Sequence, residues 1–314
     1  MRVARIVITE FMDLPAVQRL QAAHEVIYDP KLVDQADRLM QLARDADVLI
    51  VRNRTQVRGE LLAALERCRI VGRLGVGLDN IDVAACEARG MAVMPATGAN
   101  ALSVAEYVVA TAMLLLRRAY QCSDAVAQGQ WPRQAASQGL EAAGKTLGLV
   151  GFGAIGQLTA RLARGLGLHI QAHDPMMPAT HPAYAEQQAA CVDLDTLLAT
   201  SDVVSLHVPL VDSTRQLINA ERLSRMKAHA VLINTARGGV VDELALAQAL
   251  RAHRLGGAAL DVFEQEPLPA APHFAGCPNL ILTPHIAGVS TESNERVSSL
   301  IAERVLQALG GPSA

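Results

Sequence analysis

Short apolar runs alternate with amphipathic stretches of about ten residues from the beginning of the chain onward. "VARIVIT", "HEVIYDP", "DVLIVRN", "IVGRLGVG" and "MAVMPA" read as buried strands, and "PAVQRLQAAH", "LVDQADRLMQLARDA", "ELLAALERC" and "VAACEARG" as the helices among them. Strands separated by helices predict parallel βαβ units rather than hairpins. The rhythm breaks at "PATGAN", Pro95 to Asn100, and the apolar helical run "VAEYVVATAMLLL" follows at 104–116, closed by Arg117 and Arg118. A polar, glutamine-rich connection then leads into a second series that begins at Thr146: "TLGLVGFG", "LHIQAHDP", "DVVSLHVP", "AVLINTARGG", "LGGAALDVF" and "LILTPH". Six β-runs in that order make a complete dinucleotide fold. From Val289 the pattern is helical again, "ESNERVSSLIAERVLQAL". The predicted class is α/β, with two series of analogous architecture and no sequence repeat.

Composition narrows the partners more than the fold. The chain of 314 residues is 51% hydrophobic and 19% charged, with a net charge of -3. That balance carries no electrostatic footprint for nucleic acid or an anionic membrane surface. Five cysteines, at 68, 86, 122, 191 and 277, are scattered without a C-x-x-C pair. This favours free thiols in a reducing compartment over a disulfide framework or a zinc site, and no metal is expected. The opening "MRVARIVITEFMD" has acidic residues by position 13 and no long apolar core, unlike a secretory leader. The run at 104–116 contains Glu106 and is too short to cross a bilayer. The expectation is a cytoplasmic protein that acts on a small molecule.

The first sharp chemical signal is "LGLVGFGAIGQLTARLARGLG", which sets Gly151, Gly153 and Gly156 in G-x-G-x-x-G spacing. Alone the pattern is weak. Here it follows an apolar strand and opens an amphipathic helix with Ile155, Leu158, Leu162 and Leu166. In that setting Gly151 makes the tight turn, Gly153 lets the backbone approach a pyrophosphate, and Gly156 permits close helix–strand packing. The helix N-terminus presents N–H groups to the phosphates. Asp174 ends the next strand, about 20 residues on, where a carboxylate accepts from an adenosine ribose hydroxyl. No arginine or lysine follows in "HDPMMPATHPAY" to hold a 2′-phosphate, so the expected cofactor is NAD rather than NADP.

Three polar residues stand where later strands end: Arg237 in "NTARGGVVDE", Glu266 in "DVFEQEP" and His285 in "TPHIAG". Ligands of an open α/β sheet bind outside the carboxyl ends of its strands, so one crevice is within reach of all three. An arginine holds a carboxylate bidentately, and a histidine paired with a carboxylate moves a proton near neutrality. With a hydride carrier, this is the equipment for interconverting a 2-oxo acid and a 2-hydroxy acid. Singly, each residue also has an ordinary structural reading as a turn cap, a loop charge or a core histidine. A further pair, Arg52 and Arg54, closes the apolar run in "LIVRNRTQVRG". Residues two apart on a strand share a face, roughly 7 Å apart, so the pair predicts an anion in front of it unless it is a solvated strand end.

More segments join these signals: "GVGLDNID" (75–82), "SVAEYV" (103–108), "GKTLGLVGFGAIG" (144–156), "SDVVSLHVPL" (201–210), "LINTARGGVVDE" (232–243), "GAALDVFEQEP" (257–267) and "LTPHIAG" (282–288). Taken in order, they resemble the D-isomer-specific 2-hydroxyacid dehydrogenase family over nearly the whole chain, and most closely its 3-phosphoglycerate dehydrogenase branch. The resemblance implies a catalytic triad of Arg237, Glu266 and His285, with the backbone of Val76 and Gly77 joining Arg237 at the substrate carboxylate. It implies that Ala154 and Ile155 meet the pyrophosphate and Asp174 the ribose. Thr235 and Asp261 would serve the nicotinamide end, His207 and Pro209 the adenosine wall, and Gly288 is counted with the cofactor site. On this reading His285, not His207, transfers the proton.

The resemblance also implies two Rossmann-like or flavodoxin-like domains. Residues 1–98 plus 286–314 would form the substrate domain, into which an NAD-binding domain, 99–285, is inserted. Hinges at "PATGAN" and just after His285 would let closure bring Arg52 and Arg54 over the cofactor. Family members are usually dimers through the inserted domain, so a homodimer is expected. In the phosphoglycerate dehydrogenase branch, arginines at the matching strand end hold the substrate's far anionic group, and "RNRT" resembles that branch's "RSRT". The expected reaction is therefore NAD-dependent interconversion of a D-2-hydroxy acid and its 2-oxo acid, with a second anionic group on the substrate. Phosphate ranks first, and sulfonate second because "ITEFMD" and "VRNRTQV" look like the family's sulfolactate dehydrogenases; a second carboxylate ranks third. A general hydroxypyruvate or glyoxylate-type reductase is the alternative. The NAD(H)-sensing corepressors of this fold form a remote one, since nothing here resembles their flanking segments.

Overall fold

The computed structural model describes residues 3–310. The chain divides into two compact units, one of Met1–Asn100 with Val289–Ala314 and one of Ala101–Gly288.

The first unit is a parallel sheet of β1 (Arg5–Ile8), β2 (Glu25–Tyr28), β3 (Val48–Val51), β4 (Ile70–Arg73) and β5 (Ala92–Pro95), in the order β2-β1-β3-β4-β5. Its central strand β3, "VLIV", is buried along its whole length, as a parallel strand covered on both faces must be. Alternation assigns its side chains: Val48 and Ile50 join Ile6, Ile8, Val17, Leu20, Ile301 and Val305 on one face. Leu49 and Val51 join Val7, Leu39, Leu61 and Leu65 on the other. The first of these faces is covered by the helices Leu14–Gln21 and Thr291–Ala308, so the last helix of the chain completes the core begun by the first strand. Gly72 in β4 leaves room for that helix, because a Cβ there would lie 3.0 Å from the Ile301 side chain.

The second unit is a seven-stranded sheet in the order β12-β11-β10-β9-β6-β7-β8. Its strands are β6 (Thr146–Val150), β7 (His169–His173), β8 (Ala189–Cys191), β9 (Val203–Leu206), β10 (Val231–Asn234), β11 (Gly257–Leu260) and β12 (Leu280–Leu282), all parallel. The chain runs outward from β6 through β7 to β8, then crosses back to β9 and continues the other way. The short edge strand β8 escaped the apolar pattern: "AAC" is small and only partly covered. The apolar run at 104–116 is the core of a longer helix, Ala101–Arg117, whose Val104, Val108, Ala112 and Leu115 pack in the same cluster as Ala160 and Ala163 of the helix Ala154–Arg164. Among the described residues no helix is long and apolar enough to cross a membrane.

One buried carboxylate ties three strands of this sheet together at the edge where they begin. Asp202 accepts from the Thr146 N–H at 2.8 Å, from Lys227 Nζ at 3.0 Å and from His229 Nε2 at 2.7 Å. Its own N–H bonds the Thr146 carbonyl, and its carbonyl accepts from Val231. Burial works to raise the Asp202 pKa, but the Thr146 N–H and the partners His229 and Lys227 outweigh it and hold it below the ordinary range. A depressed folded pKa contributes stability above the unfolded value, about 3.9, that is lost as pH falls through the folded value. Asp202→Ala should therefore cost about 2 kcal/mol of unfolding free energy at pH 7, with a smaller deficit near pH 3. Urea denaturation at the two pH values measures this, and equal deficits would exclude the ionic origin.

Candidate active site

The order of the second sheet reverses between β6 and β9, the place beyond the carboxyl ends of the strands where an open α/β sheet binds its ligand. Gly151 follows β6 with φ 94°, and a Cβ on it would lie 2.5 Å from the His207 carbonyl oxygen at the end of β9. At Gly156 a Cβ would lie 2.5 Å from the Gly151 carbonyl, which fixes how closely the helix Ala154–Arg164 approaches the strand. A Cβ at Gly153 would meet nothing within 4 Å, so the helix start with Ala154 and Ile155 faces open space. Asp174 stands after β7 and receives the Phe152 N–H at 2.8 Å and the Met176 N–H at 2.9 Å. The first of these bonds clamps the glycine turn to the residue expected at the ribose, and the second shapes that residue's own loop. Thr235, next to the strand end of β10, has a buried hydroxyl without a partner among the described residues. An open helix start, a carboxylate fixed beside a glycine turn and an unsatisfied hydroxyl fit the pyrophosphate, ribose and amide groups of a dinucleotide.

His207 and Pro209 follow β9 on the same side. The His207 Nε2 lies 3.0 Å from Ser205 Oγ, and desolvation lowers its pKa to about 4. A ring held neutral in this way does not donate as an imidazolium near neutrality.

The loops after β10, β11 and β12 carry the other three residues. Asn234 shapes the first: its Oδ1 accepts from Ala236 N–H and its Nδ2 donates to the Arg237 carbonyl, both at 3.0 Å. Gly238 follows because a Cβ there would lie 1.8 Å from the Phe263 carbonyl oxygen, so the Arg237 turn rests directly on the loop that leads to Glu266. The Arg237 guanidinium donates to the Ala236 carbonyl at 2.6 Å. Glu266 Oε1 accepts from Phe263 N–H at 3.1 Å, and its Oε2 lies 2.6 Å from His285 Nδ1. Burial works to raise the Glu266 pKa; the His285 contact, the Phe263 N–H and the charge of Arg237 outweigh it and hold it below the ordinary range. An ionised carboxylate only accepts, so Nδ1 of His285 donates and Nε2 is left for another partner.

His285 has a left-handed backbone, φ 56°, and Asp261 holds it there. The Asp261 carbonyl accepts from His285 N–H at 2.8 Å, and its carboxylate accepts from Ile286 and Ala287 N–H at 2.8 Å and from Thr283 Oγ1 at 2.6 Å. Tyr107 Oη in turn lies 2.6 Å from Thr283 Oγ1. Asp261, read from sequence as a residue of the nicotinamide end, thus has its carboxylate engaged by the loop that carries His285. Gly288 closes that loop. Asn234, Thr283 and Tyr107 are not among the expected site residues, although each stands in one of the segments "LINTARGGVVDE", "LTPHIAG" and "SVAEYV".

Four of the expected site residues, Arg52, Arg54, Val76 and Gly77, belong to the first unit. Strand β3 ends at Val51, so the arginines are carried by a loop and do not share a strand face. Arg52 Nη2 donates to Asn294 Oδ1 at 2.8 Å, and its guanidinium lies 5.7 Å from the centre of the Phe11 ring. Arg54 turns to Asp34, with Nη1 3.3 Å from Oδ2 and the second nitrogen bonded to Oδ1. The Val76 and Gly77 N–H groups donate to no partner among the described residues.

Comparison with known proteins gives this geometry a context. Residues 109–287 match the family model of the D-isomer specific 2-hydroxyacid dehydrogenase NAD-binding domain. The chain is 53% identical over 305 residues to an (S)-sulfolactate dehydrogenase of Chromohalobacter salexigens, covering 97% of this chain and 98% of that one. This chain belongs to the D-isomer specific 2-hydroxyacid dehydrogenase family. As a member it is an NAD-dependent oxidoreductase that acts on 2-hydroxy acids, and its second unit is the NAD-binding one. A D-3-phosphoglycerate dehydrogenase of Methanocaldococcus jannaschii is 35% identical, and this dehydrogenase spans 99% of its own length but 58% of that relative. The TT0316 protein of Thermus thermophilus, a solved structure, superposes with a TM-score of 0.86 at 33% identity over 98% of both chains.

The cradle of this dehydrogenase depends on a missing side chain at Gly151. Gly151→Ala should weaken NADH binding roughly tenfold or more, through left-handed strain and the close His207 carbonyl. Fluorescence titration with NADH measures it, and parental affinity would show that the turn tolerates a Cβ.

Proposed function

We propose that the protein interconverts a three-carbon D-2-hydroxy acid bearing a C3 sulfonate with its 2-oxo acid, a sulfolactate dehydrogenase activity. His285 is the acid and base: in reduction it protonates the substrate oxygen as that oxygen gains charge, and in oxidation it removes the hydroxyl proton. Nε2 is the atom that acts, because Nδ1 is engaged by Glu266 at 2.6 Å. Glu266 orients the ring and stabilises its protonated form. Arg237 holds the substrate carboxylate, and its charge steadies the developing oxyanion. Bound NAD supplies the hydride acceptor and, when reduced, the hydride donor. Ala154 and Ile155 receive its pyrophosphate, Asp174 its ribose, Thr235 its nicotinamide end, with His207 and Pro209 lining the adenosine side.

The observation that carries the choice of substrate is Arg52, half-buried and fixed by Asn294 at the end of β3. Strands β1 and β3 flank the reversal of strand order in the first sheet, where a ligand crevice is expected. An arginine fixed there, with Arg54 two residues on, answers a second anion on the substrate. The sulfonate is preferred over phosphate because identity is 53% to the sulfolactate dehydrogenase and 35% to the phosphoglycerate dehydrogenase. A homodimer is supported by the exposed apolar side chains of Leu114, Tyr120, Val126 and Trp131 in the NAD-binding unit. A cytoplasmic setting accords with five free cysteines.

NADH oxidation with sulfopyruvate, phosphohydroxypyruvate, oxaloacetate and hydroxypyruvate tests the reading, with sulfopyruvate expected to give the highest kcat/KM. His285→Ala should lower kcat by at least about 10². Arg52→Ala should raise the KM for sulfopyruvate roughly tenfold or more, well beyond its effect on hydroxypyruvate. A parental rate in the first variant would remove His285 from the chemistry, and equal effects in the second would make Arg52 structural.

A further inference from the structure

The loop that carries Arg52 and Arg54 is organised around a carboxylate that the reaction itself does not call for. Glu10 follows β1, next to β3 in the sheet, and is only 4% exposed. Its Oε1 accepts from the N–H groups of Arg52 at 2.9 Å and Thr55 at 3.0 Å, and its Oε2 accepts from Arg54 N–H at 3.1 Å. The carbonyls of the same loop are held from another side: Asn80 Nδ2 donates to Arg52 O at 3.1 Å and to Thr55 O at 2.7 Å. Thr9, beside Glu10, adds a hydroxyl contact of 2.8 Å to Thr55. The next residue, Phe11, supplies the ring beside the Arg52 guanidinium. A loop without a sheet partner would otherwise leave its N–H groups unsatisfied. Here one carboxylate takes three of them and so fixes the backbone from which both arginines extend.

We propose that Glu10 is a positioning residue for substrate specificity, aiming Arg52 and Arg54 at the second anionic group of the substrate. The proposal rests on the reading of those arginines given above. The two arginines are not equivalent in it. Arg52 is held by Asn294 and Phe11 as well as by its own backbone, and forms the fixed half. Arg54 is exposed and paired with an exposed Asp34, a kind of ion pair that contributes little. It is the half that exchanges Asp34 for the incoming anion.

The test is the ratio of kcat/KM for the better of sulfopyruvate and phosphohydroxypyruvate to that for hydroxypyruvate, measured with the parent, Arg52→Ala and Glu10→Gln. Glutamine keeps the size of the side chain, offers one acceptor oxygen, and turns an N–H₂ group toward a backbone N–H. The ratio should fall about tenfold or more in Glu10→Gln, through KM rather than kcat, with NADH affinity as in the parent. Equal losses on both substrates would reduce Glu10 to a structural role and overturn the proposal. A ratio that falls in Arg52→Ala but stays parental in Glu10→Gln would overturn it too, while the arginine reading stands. If the parent shows no preference for either doubly anionic substrate and Arg52→Ala keeps the parental ratio, the arginine reading fails and Glu10 goes with it. Should Glu10→Gln not fold, Glu10→Asp decides: a lowered ratio supports the assignment and a parental ratio overturns it.

Discussion

Parallel pairing is the constraint from which the chemistry of this dehydrogenase follows. Every strand of a parallel sheet releases its chain at the same edge, so the polar residues excluded from the apolar strands collect there. Where strand order reverses, the loops of neighbouring strands leave toward opposite faces and a crevice remains between them. In the second sheet that reversal lies between β6 and β9, and it brings the Gly151 turn against the His207 carbonyl. In the first sheet it lies between β1 and β3, and it brings Glu10 to the amides of Arg52, Arg54 and Thr55. Each unit thus builds its polar site at the same topological position.

Loops at such edges have lost the ladder that satisfies strand amides, and buried carboxylates replace it. Glu10 does this for the arginine loop, and Asp261 for the Thr283–Ala287 segment. Hydrogen bonds to a charged group contribute roughly 1.5–3 kcal/mol each, about twice a neutral one. Two or three of them on one carboxylate hold a loop against the conformational entropy of several residues. The backbones of both loops are therefore held by buried carboxylates in place of a strand ladder.

Environment also separates two histidines that a composition count treats alike. His207 Nε2 meets the Ser205 hydroxyl at 3.0 Å, and desolvation lowers its pKa to about 4. His285 is partly open to solvent and lies 2.6 Å from a carboxylate whose own pKa is held down by the contact. One ring is held neutral by desolvation; the other is paired with a carboxylate through Nδ1.

By itself the sequence determined the α/β class, the strands of both sheets apart from β8, the glycine cradle and the family, because these reside in local periodicity and contiguous motifs. Glycine spacing, an apolar run and a strand-end aspartate act over a few residues, and a linear string preserves them. Tertiary structure alone decided that β3 stops at Val51, that Arg52 and Arg54 turn to Asn294 and Asp34, and that Asp261 holds the His285 loop. It alone brought Tyr107 to Thr283, and Glu10 to a loop more than forty residues away. Those contacts join strand ends that are neighbours only through sheet order, and a pattern read along the chain contains periodicity but not which strand lies beside which.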